Sequence, residues 1–315
     1  MACCGVIFDT IKLLLCMLCD PFVRLARGLV PKSKKSIKGE IVLITGAGHG
    51  LGKEVATRLA VLGPVLVLWD INKENNDAVA AKLRASGCKV FPYRVDVTDE
   101  QQVVQTANKV KQEVGDVSIL INNAGVFSGL PLTQIPRQVV RKCFEVNAMA
   151  HFWILQQFLP HMIDLDRGHV VAVASIAGHQ GVPYMTDYCA SKFAAAGAME
   201  ALYMELQSMG KRHIRLTTIN PIIITTGLIS NVKSRFPCLL PLLTVDETAK
   251  RVVSAILKEE EVVFIPGRSR HLNELIGCFS RRTRFKILDY VSYGFDLEDP
   301  KQPETVKQQK VAEIV

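Results

Sequence analysis

Ile41-Val-Leu-Ile-Thr-Gly-Ala-Gly-His-Gly-Leu-Gly52 is the stretch that decides the fold of this 315-residue chain. Its first five residues are apolar or β-branched, as a strand buried on both faces requires. The strand runs straight into Gly46, Gly48, Gly50 and Gly52, and a helix pattern, Glu54–Leu62, follows at once. Glycine is needed in such a turn because the backbone bends sharply and must approach its ligand with no side chain between. The helix start then presents free N–H groups and the positive end of its dipole, a site suited to a pyrophosphate. A glycine loop placed between a strand and a helix predicts dinucleotide binding.

The alternation continues downstream. Strand-like runs fall at Val65–Trp69, Val90–Val95, Ser118–Ile121, His169–Ala174, Ile214–Ile219 and Val262–Ile265. Helical stretches fall at Glu74–Ala85, Glu100–Val114, Arg137–Met162 and Thr186–Met209. Strands alternating with helices imply right-handed βαβ crossovers. The expected fold class is therefore α/β. It is a single doubly wound Rossmann-type domain, a parallel sheet with helices on both faces, preceded by an N-terminal amphipathic helix. Residues 37–267 are assigned to that domain and residues 1–36 to the helix and a basic linker. Residues 268–315 are a basic C-terminal extension whose last twenty residues read as disordered.

Hydrophobic residues make up 49% and charged residues 22%, which excludes a disordered chain. The net charge of +8 sits mostly at the two ends. Residues 1–40 carry seven basic and three acidic residues, and Arg268, Arg270, Arg281, Arg282, Arg284 and Lys286 stand against Glu274 alone. This distribution fits a membrane-surface footprint better than a nucleic-acid groove, so no nucleic-acid partner is expected. Nine cysteines, an odd number, point to a reducing, cytosol-facing environment rather than a disulfide framework. The seven histidines show no metal spacing.

The uncharged run Leu13–Cys19 is far short of the ~18–20 residues of a bilayer crossing. At about 100° per residue, Ile7, Ile11, Leu14, Leu15, Leu18, Phe22, Leu25 and Leu29 share one face, and Asp9, Lys12, Asp20, Arg24 and Arg27 take the other. The pattern predicts an amphipathic helix, kinked at Pro21, that lies in a membrane or lipid-droplet surface through residues 6–30. Lys32, Lys34, Lys35 and Lys38 would meet anionic headgroups. Packing of the helix on its own domain is the alternative. Acylation of Cys3 and Cys4 would add a second anchor.

Two further positions carry chemistry. Asp70 ends the second strand, about 20 residues past the glycine loop, where an acid hydrogen-bonds the ribose hydroxyls of NAD and repels the 2′-phosphate of NADP. Tyr188 and Lys192 stand four residues apart in a helical stretch and so share a face. A neighbouring ammonium lowers a phenol's pKa toward the range useful for acid–base work, and this pair suits removal of a hydroxyl proton as hydride leaves the adjacent carbon. A serine-hydrolase reading fails, because Ser175 lies between Ala174 and Ile176 and lacks the Gly-x-Ser-x-Gly frame. His179 is a candidate pocket residue or a solvated loop residue. Phe236–Leu243, apolar and punctuated by proline, is a candidate wall of an oily pocket, a lipid contact or a piece of core.

The spacing Gly46-x-x-x-Gly50-x-Gly52 after Thr45 resembles the short-chain dehydrogenase/reductase superfamily. So do Asn122-Asn123-Ala124-Gly125, the Ser175 to Tyr188 spacing, Tyr188-x-x-x-Lys192, and Asn147 in Glu145-Val-Asn-Ala. The resemblance implies catalytic roles for Asn147, Ser175, Tyr188 and Lys192. Ser175 would hold the substrate oxygen and Tyr188 would transfer the proton. Lys192 would bind the nicotinamide ribose and tune Tyr188, and Asn147 would position a water linking Lys192 to solvent. It implies NAD binding by Gly46, His49, Gly50, Leu51, Gly52, Asp70, Asp96, Val97, Asn123, Ala124, Gly125, Tyr188, Lys192, Pro221 and Thr226, with Thr225 an alternative to Thr226. Ile222 departs from the superfamily's pattern, which has glycine there.

Gly39–Gly48, Leu66–Asn72, Gly115–Gly125 and Asp187–Ala195 are similar to the branch that holds retinol dehydrogenases and lipid-droplet 17-beta-hydroxysteroid dehydrogenases. This similarity covers about residues 38–265. It implies an NAD-dependent enzyme at the endoplasmic reticulum membrane or lipid droplet, facing the cytosol, and a homodimer through the long central helices. The expected function is oxidation of a lipophilic alcohol, retinol to retinal, with Tyr188 as general base. A hydroxysteroid or other lipid-alcohol dehydrogenase is the alternative, and a catalytically silent lipid-droplet scaffold is a rival of another class.

Overall fold

The computed structural model of the chain describes residues 2–29, 33–225, 232–238, 240–291 and 294–295. The chain divides into two compact units, Met1–Lys35 and Ser36–Val315.

The first unit is one helix, α1 (Ala2–Leu29), which runs on through Pro21. Its described apolar side chains, among them Phe8, Ile11, Leu14, Leu15, Leu18 and Phe22, are exposed. The side chains of Ile7, Leu25, Leu29, Arg24, Arg27, Cys3 and Cys4 lie outside the described ones, as does Lys32. No helix among the described residues is long and apolar enough to cross a membrane.

The second unit begins with β1 (Ile41–Thr45), α2 (Gly50–Ala60), β2 (Val65–Asp70), α3 (Lys73–Ala85), β3 (Lys89–Arg94), α4 (Glu100–Glu113) and β4 (Ile119–Asn122). It continues with α5 (Arg137–Phe144), α6 (Ala150–Leu165), β5 (Gly168–Val173), α7 (Thr186–Ser208), β6 (Ile214–Pro221), β7 (Val232–Lys233), α8 (Val245–Leu257) and β8 (Val262–Ile265). Seven strands form one parallel sheet in the order β3-β2-β1-β4-β5-β6-β8, the doubly wound arrangement expected. Strand side chains alternate between two apolar layers. Val42, Ile44, Leu66, Leu68, Ile121 and Val171 pack against α2, α3 and α8. Leu43, Val67, Trp69, Leu120, Val170 and Ala172 pack against α4, α6 and α7, with Trp69 and Phe158 ring centroids 5.9 Å apart. Because both faces are covered, the strands read as unbroken apolar runs.

The elements differ from expectation in four places. The helix expected from Glu54 starts at Gly50, inside the glycine loop. The single helix expected over 137–162 is α5, a π-helical turn at Glu145–Met149, and α6, which passes Pro160 and ends at Leu165. Helix α8 went unread, although Thr244 and Glu247 form a reciprocal capping box at its start. The basic extension folds into α9 (Arg268–Gly277) and α10 (Arg281–Val291), followed by β9 (Gly294–Phe295), which pairs antiparallel with β7. Residues 296–315, read as disordered, lie outside the described residues.

The chain lays β1, β2 and β3 out in one direction, then crosses back to place β4 on the other side of β1. The loops leaving β1 and β4 diverge at this reversal. A crevice therefore opens beyond the carboxyl ends of these strands.

Candidate active site

A cleft of about 450 Å³ occupies that crevice. Its walls are the glycine loop (Gly46, His49, Gly50, Leu51), Asp70 and Ile71 after β2, Asp96 and Val97 after β3, and residues 123–127 after β4. Ser175, Tyr188, Lys192, Pro221 and residues 222–224 complete it. Chain segments that are remote in sequence thus meet at one end of the sheet.

The glycine loop has no room for side chains. Gly46 and Gly50 hold φ of 65° and 53°, in the left-handed region that favours glycine. A Cβ at Gly52 would stand 2.1 Å from the Gly46 carbonyl oxygen and 2.6 Å from Asn123 Nδ2. One at Gly48 would meet the Asp70 carboxyl group at 3.0 Å. Thr45 Oγ1 accepts from the Asn123 and Ala124 backbone N–H groups at 2.9 and 3.0 Å, and Asn123 Nδ2 donates to the Thr45 carbonyl at 2.9 Å. This cross-bracing ties the loop after β1 to the loop after β4. Asp70 accepts from the N–H groups of Gly48 (2.8 Å) and Asn72 (2.9 Å), so its carboxylate is fixed at the cleft edge. Burial works against the Asp96 carboxylate. Hydrogen bonds from the Thr98 side chain and backbone, and from Lys142, outweigh it and hold its pKa below the ordinary value. A glycine cradle, a free helix start and two oriented carboxylates fit a dinucleotide, its pyrophosphate on the cradle and its hydroxyl-bearing end toward the acids.

At the other end, Asn147 projects from the π-helical turn with no exposed surface. Its amide grips Val126 from both sides: Oδ1 accepts from the Val126 N–H at 2.8 Å and Nδ2 donates to the Val126 carbonyl at 3.0 Å. Nδ2 also donates to Ser191 Oγ at 3.0 Å. A Cβ at Gly125 would fall 3.3 Å from Asn147 Oδ1 and 3.5 Å from Lys192 Nζ, so these two groups flank the same backbone. Lys192, buried, donates from Nζ to the Val173 carbonyl at 2.9 Å and stands 5.6 Å from the centroid of the Tyr188 ring. Ser175 Oγ accepts from the Ala177 N–H at 3.2 Å and donates to the Pro221 carbonyl at 3.4 Å.

The electrostatics correct one expectation. Burial pushes the Tyr188 phenol up to about 12, with a hydrogen bond from Ser175 pulling the other way, rather than leaving it lowered by the ammonium. Lys192 is desolvated too, and burial drives its own pKa down to about 8. A desolvated amine holds its charge less readily, which weakens its pull toward the phenolate.

A stability consequence follows from Lys192. Its folded pKa lies below the ordinary 10.5, so the fold disfavours its charge. That penalty is fully present below pH 8 and fades as pH rises from 8 toward 10.5. Lys192→Met is expected to be more stable than wild type at pH 7 by on the order of 1–3 kcal/mol, with the gap closing by about pH 10. Paired thermal melts across that range check this.

The other expected residues sort as follows. His49 precedes α2 on the exposed lip, and Leu51 and Val97 are buried cleft residues. Pro221 lines the cleft, while Thr226 lies outside the described residues. The Thr225 hydroxyl donates to the Leu243 carbonyl at 3.0 Å. Ile222 is buried in the core beside β8, its N–H donating to the Ile265 carbonyl at 3.0 Å, which explains a bulky residue in place of glycine. His179 is half-buried and does not line the cleft. Its Nε2 lies 3.0 Å from Asn220 Oδ1 and its ring packs 5.0 Å from Phe264. In the segment 236–243, Leu240 and Leu243 are buried and Leu242 is exposed.

Sequence reading missed Lys142, which donates to Asp96 Oδ2 and Thr98 Oγ1 at 3.2 Å each inside the cleft. It also missed Phe127, Val182 and Met185, which give the Tyr188 end an apolar wall. No short spacing marks any of them.

A model of the family described as short chain dehydrogenase matches residues 40–235. The chain is 44% identical over 270 residues to "Estradiol 17-beta-dehydrogenase 11" of Rattus norvegicus, covering 85% of each. It is 42% identical over 264 residues to "Epidermal retinol dehydrogenase 2" of Homo sapiens, covering 84% of this chain and 85% of that one. Among solved structures, a short chain dehydrogenase/reductase from Burkholderia phymatum in complex with NAD superposes with a TM-score of 0.68 at 25% identity, over 85% of this chain and all of that one.

Proposed function

The chain belongs to the short chain dehydrogenase family, and we propose that it oxidises a lipophilic alcohol with NAD, retinol being the preferred substrate. One observation carries this reading: Ser175, Tyr188 and Lys192 stand on one wall of a cleft whose opposite end is a glycine cradle with Asp70 at its rim. The relatives named for retinol and for estradiol support a lipophilic substrate. So does the apolar wall of Phe127, Val182, Met185 and residues 222–224. Asp70 supports NAD over NADP, because its fixed carboxylate repels a 2′-phosphate.

When bound, the nicotinamide accepts the hydride. The chain's own residues handle the proton and the orientation. The glycine loop and the start of α2 receive phosphate, and Asp70 accepts hydrogen bonds from ribose hydroxyls. Ser175 Oγ holds the alcohol oxygen against the Tyr188 phenol oxygen, whose ionised form takes up the hydroxyl proton. Because burial raises the phenol's pKa, its ionised form grows as pH rises and oxidation speeds up with it, while the reverse reduction finds the phenol already protonated. Lys192 carries the amine that exchanges protons next to that ring, and Asn147 fixes the backbone facing it.

Helix α1 extends the proposal to place. Its exposed Phe8, Ile11, Leu14, Leu15, Leu18 and Phe22 suit insertion into the surface of an endoplasmic reticulum membrane or lipid droplet, where a lipid-dissolved alcohol is collected.

The test is NADH appearance with retinol and a steroid-alcohol panel in phospholipid vesicles, run with NAD and NADP side by side. Retinol with NAD is expected to give the highest kcat/KM, with NAD favoured at least about tenfold. Leu14→Glu with Leu18→Glu is expected to move the protein from the vesicle pellet to the supernatant. Preference for a steroid alcohol would favour the hydroxysteroid reading. No turnover with any alcohol would overturn the enzymatic one, and a charged helix that still pellets would overturn the membrane one.

A further inference from the structure

Asp187 is a buried carboxylate beside Tyr188 that the chemistry above does not use. It is 3% exposed, and its Oδ1 has no hydrogen-bond partner. Its Oδ2 accepts from Ser128 Oγ at 2.8 Å, across a gap of 59 residues. A carboxylate is tolerated there because it stands in the first turn of α7, at the positive end of the helix dipole. Even so, burying a charge with only neutral partners, the Ser128 hydroxyl and the Cys143 thiol, is unfavourable compared with a small apolar side chain.

Ser128 belongs to the short segment that leads from the end of β4 over the cleft. That segment is tied at successive points. Asn147 holds Val126 through both backbone groups. Asp187 holds Ser128. Gly129 turns at φ 66°, and a Cβ there would strike the Phe127 ring at 2.8 Å, so the ring is folded back over it. Phe127 is thereby presented edge-on to Tyr188, with centroids 5.5 Å apart and ring planes at 84°, a favoured aromatic geometry. Phe127 is also a cleft wall.

We propose that the Asp187–Ser128 hydrogen bond is a latch that holds the 126–129 segment and so sets Phe127 against the Tyr188 ring, fixing where the reacting carbon of the alcohol sits. Asp187 and Ser128 are positioning residues. Neither lines the cleft, and they act through Phe127, which does. The device spans the two chain segments that carry the apolar wall and the proton-transferring phenol, so a lost latch displaces one relative to the other. Displacements of about 1 Å at such a place reduce turnover by up to about a hundredfold. The kinetic half of this proposal rests on the alcohol-dehydrogenase reading; the latch itself does not.

The experiment compares wild type, Ser128→Ala, Asp187→Ala and Asp187→Asn as full-length protein. Its readouts are amide hydrogen exchange over residues 125–130, NADH affinity by fluorescence titration, and kcat and KM for retinol with NAD. Both alanine variants are expected to exchange at least about tenfold faster in that segment and to lose about tenfold in kcat, with NADH affinity unchanged within about twofold. Asp187→Asn, which keeps an acceptor oxygen but no charge, is expected to restore slow exchange and turnover. Unchanged exchange in folded Ser128→Ala overturns the latch. So does an Asp187→Asn variant as impaired as Asp187→Ala, since the charge rather than the bond would then matter. A fall in NADH affinity that matches the fall in kcat also overturns it. If wild type oxidises no lipophilic alcohol, the functional reading fails, while the exchange data still decide the latch.

Discussion

Tyr188→Phe is expected to bind NADH as wild type does and to turn over at least about a thousandfold more slowly. The substitution removes one oxygen and leaves the ring, so the edge-to-face contact with Phe127 and the amine over the ring persist. What disappears is the only group in the proposed mechanism that exchanges a proton with the substrate oxygen. General acid–base groups contribute typically about 10²–10⁴-fold, and no other described phenol lines the cleft to take over. Single-turnover rates with NADH titrations on the same sample check both halves. A variant that keeps more than about a tenth of wild-type turnover would remove Tyr188 from the chemistry.

Gly52→Ala is expected to abolish dinucleotide binding and to lower stability as well. Its Cβ would be driven to 2.1 Å from the Gly46 oxygen and 2.9 Å from the Gly46 carbonyl carbon, both backbone atoms that no side-chain rotation can move aside. Relief requires the glycine loop to shift away from α2, which breaks the Asn123 hydrogen bond to the Thr45 carbonyl and the alignment of the helix start with the phosphate site. Overpacking of this kind costs about 1–3 kcal/mol in a well-packed core, and the binding loss adds to it. Gly197 provides the contrast. It lies exposed within α7, a Cβ there meets nothing within 4 Å, and Gly197→Ala is expected to stabilise by about 0.5–1 kcal/mol. Thermal melts and isothermal NADH titrations of the two variants separate a steric effect from a general intolerance of alanine. Normal NADH affinity in Gly52→Ala would show that the loop is not the phosphate cradle.

The fold was legible because its strands are short apolar runs with covered faces, and the seven of them were read at nearly their observed bounds. Gly50 and Gly52 hid the start of α2, because glycine is a poor helix former. Helix α8 carried a capping signal, Thr244 and Glu247, that the apolar segment before it obscured. In the site, legibility followed locality. Gly46 to Gly52 and Tyr188 to Lys192 are spacings within one element, whereas Lys142 reaches Asp96 across 46 residues and Ser128 reaches Asp187 across 59. The sign of the shift at Tyr188 is a contest between burial and a neighbouring charge. That contest turns on how far Lys192 is itself desolvated, a quantity no spacing encodes.

The π-helical turn at Glu145–Met149 holds one more residue than an α-helical path of the same rise would. It therefore sets the rotational phase of everything after it, including His151, Ile154, Phe158 and Met162, all turned toward the sheet and each less than 5% exposed. Removing a single residue there would restore regular winding and swing that quartet by about 100°, off the interior and into water. The stretch from Val139 to Ile154 is thus a ruler whose tick count matters as much as its composition: the chain can trade side chains along it far more freely than it can gain or lose one.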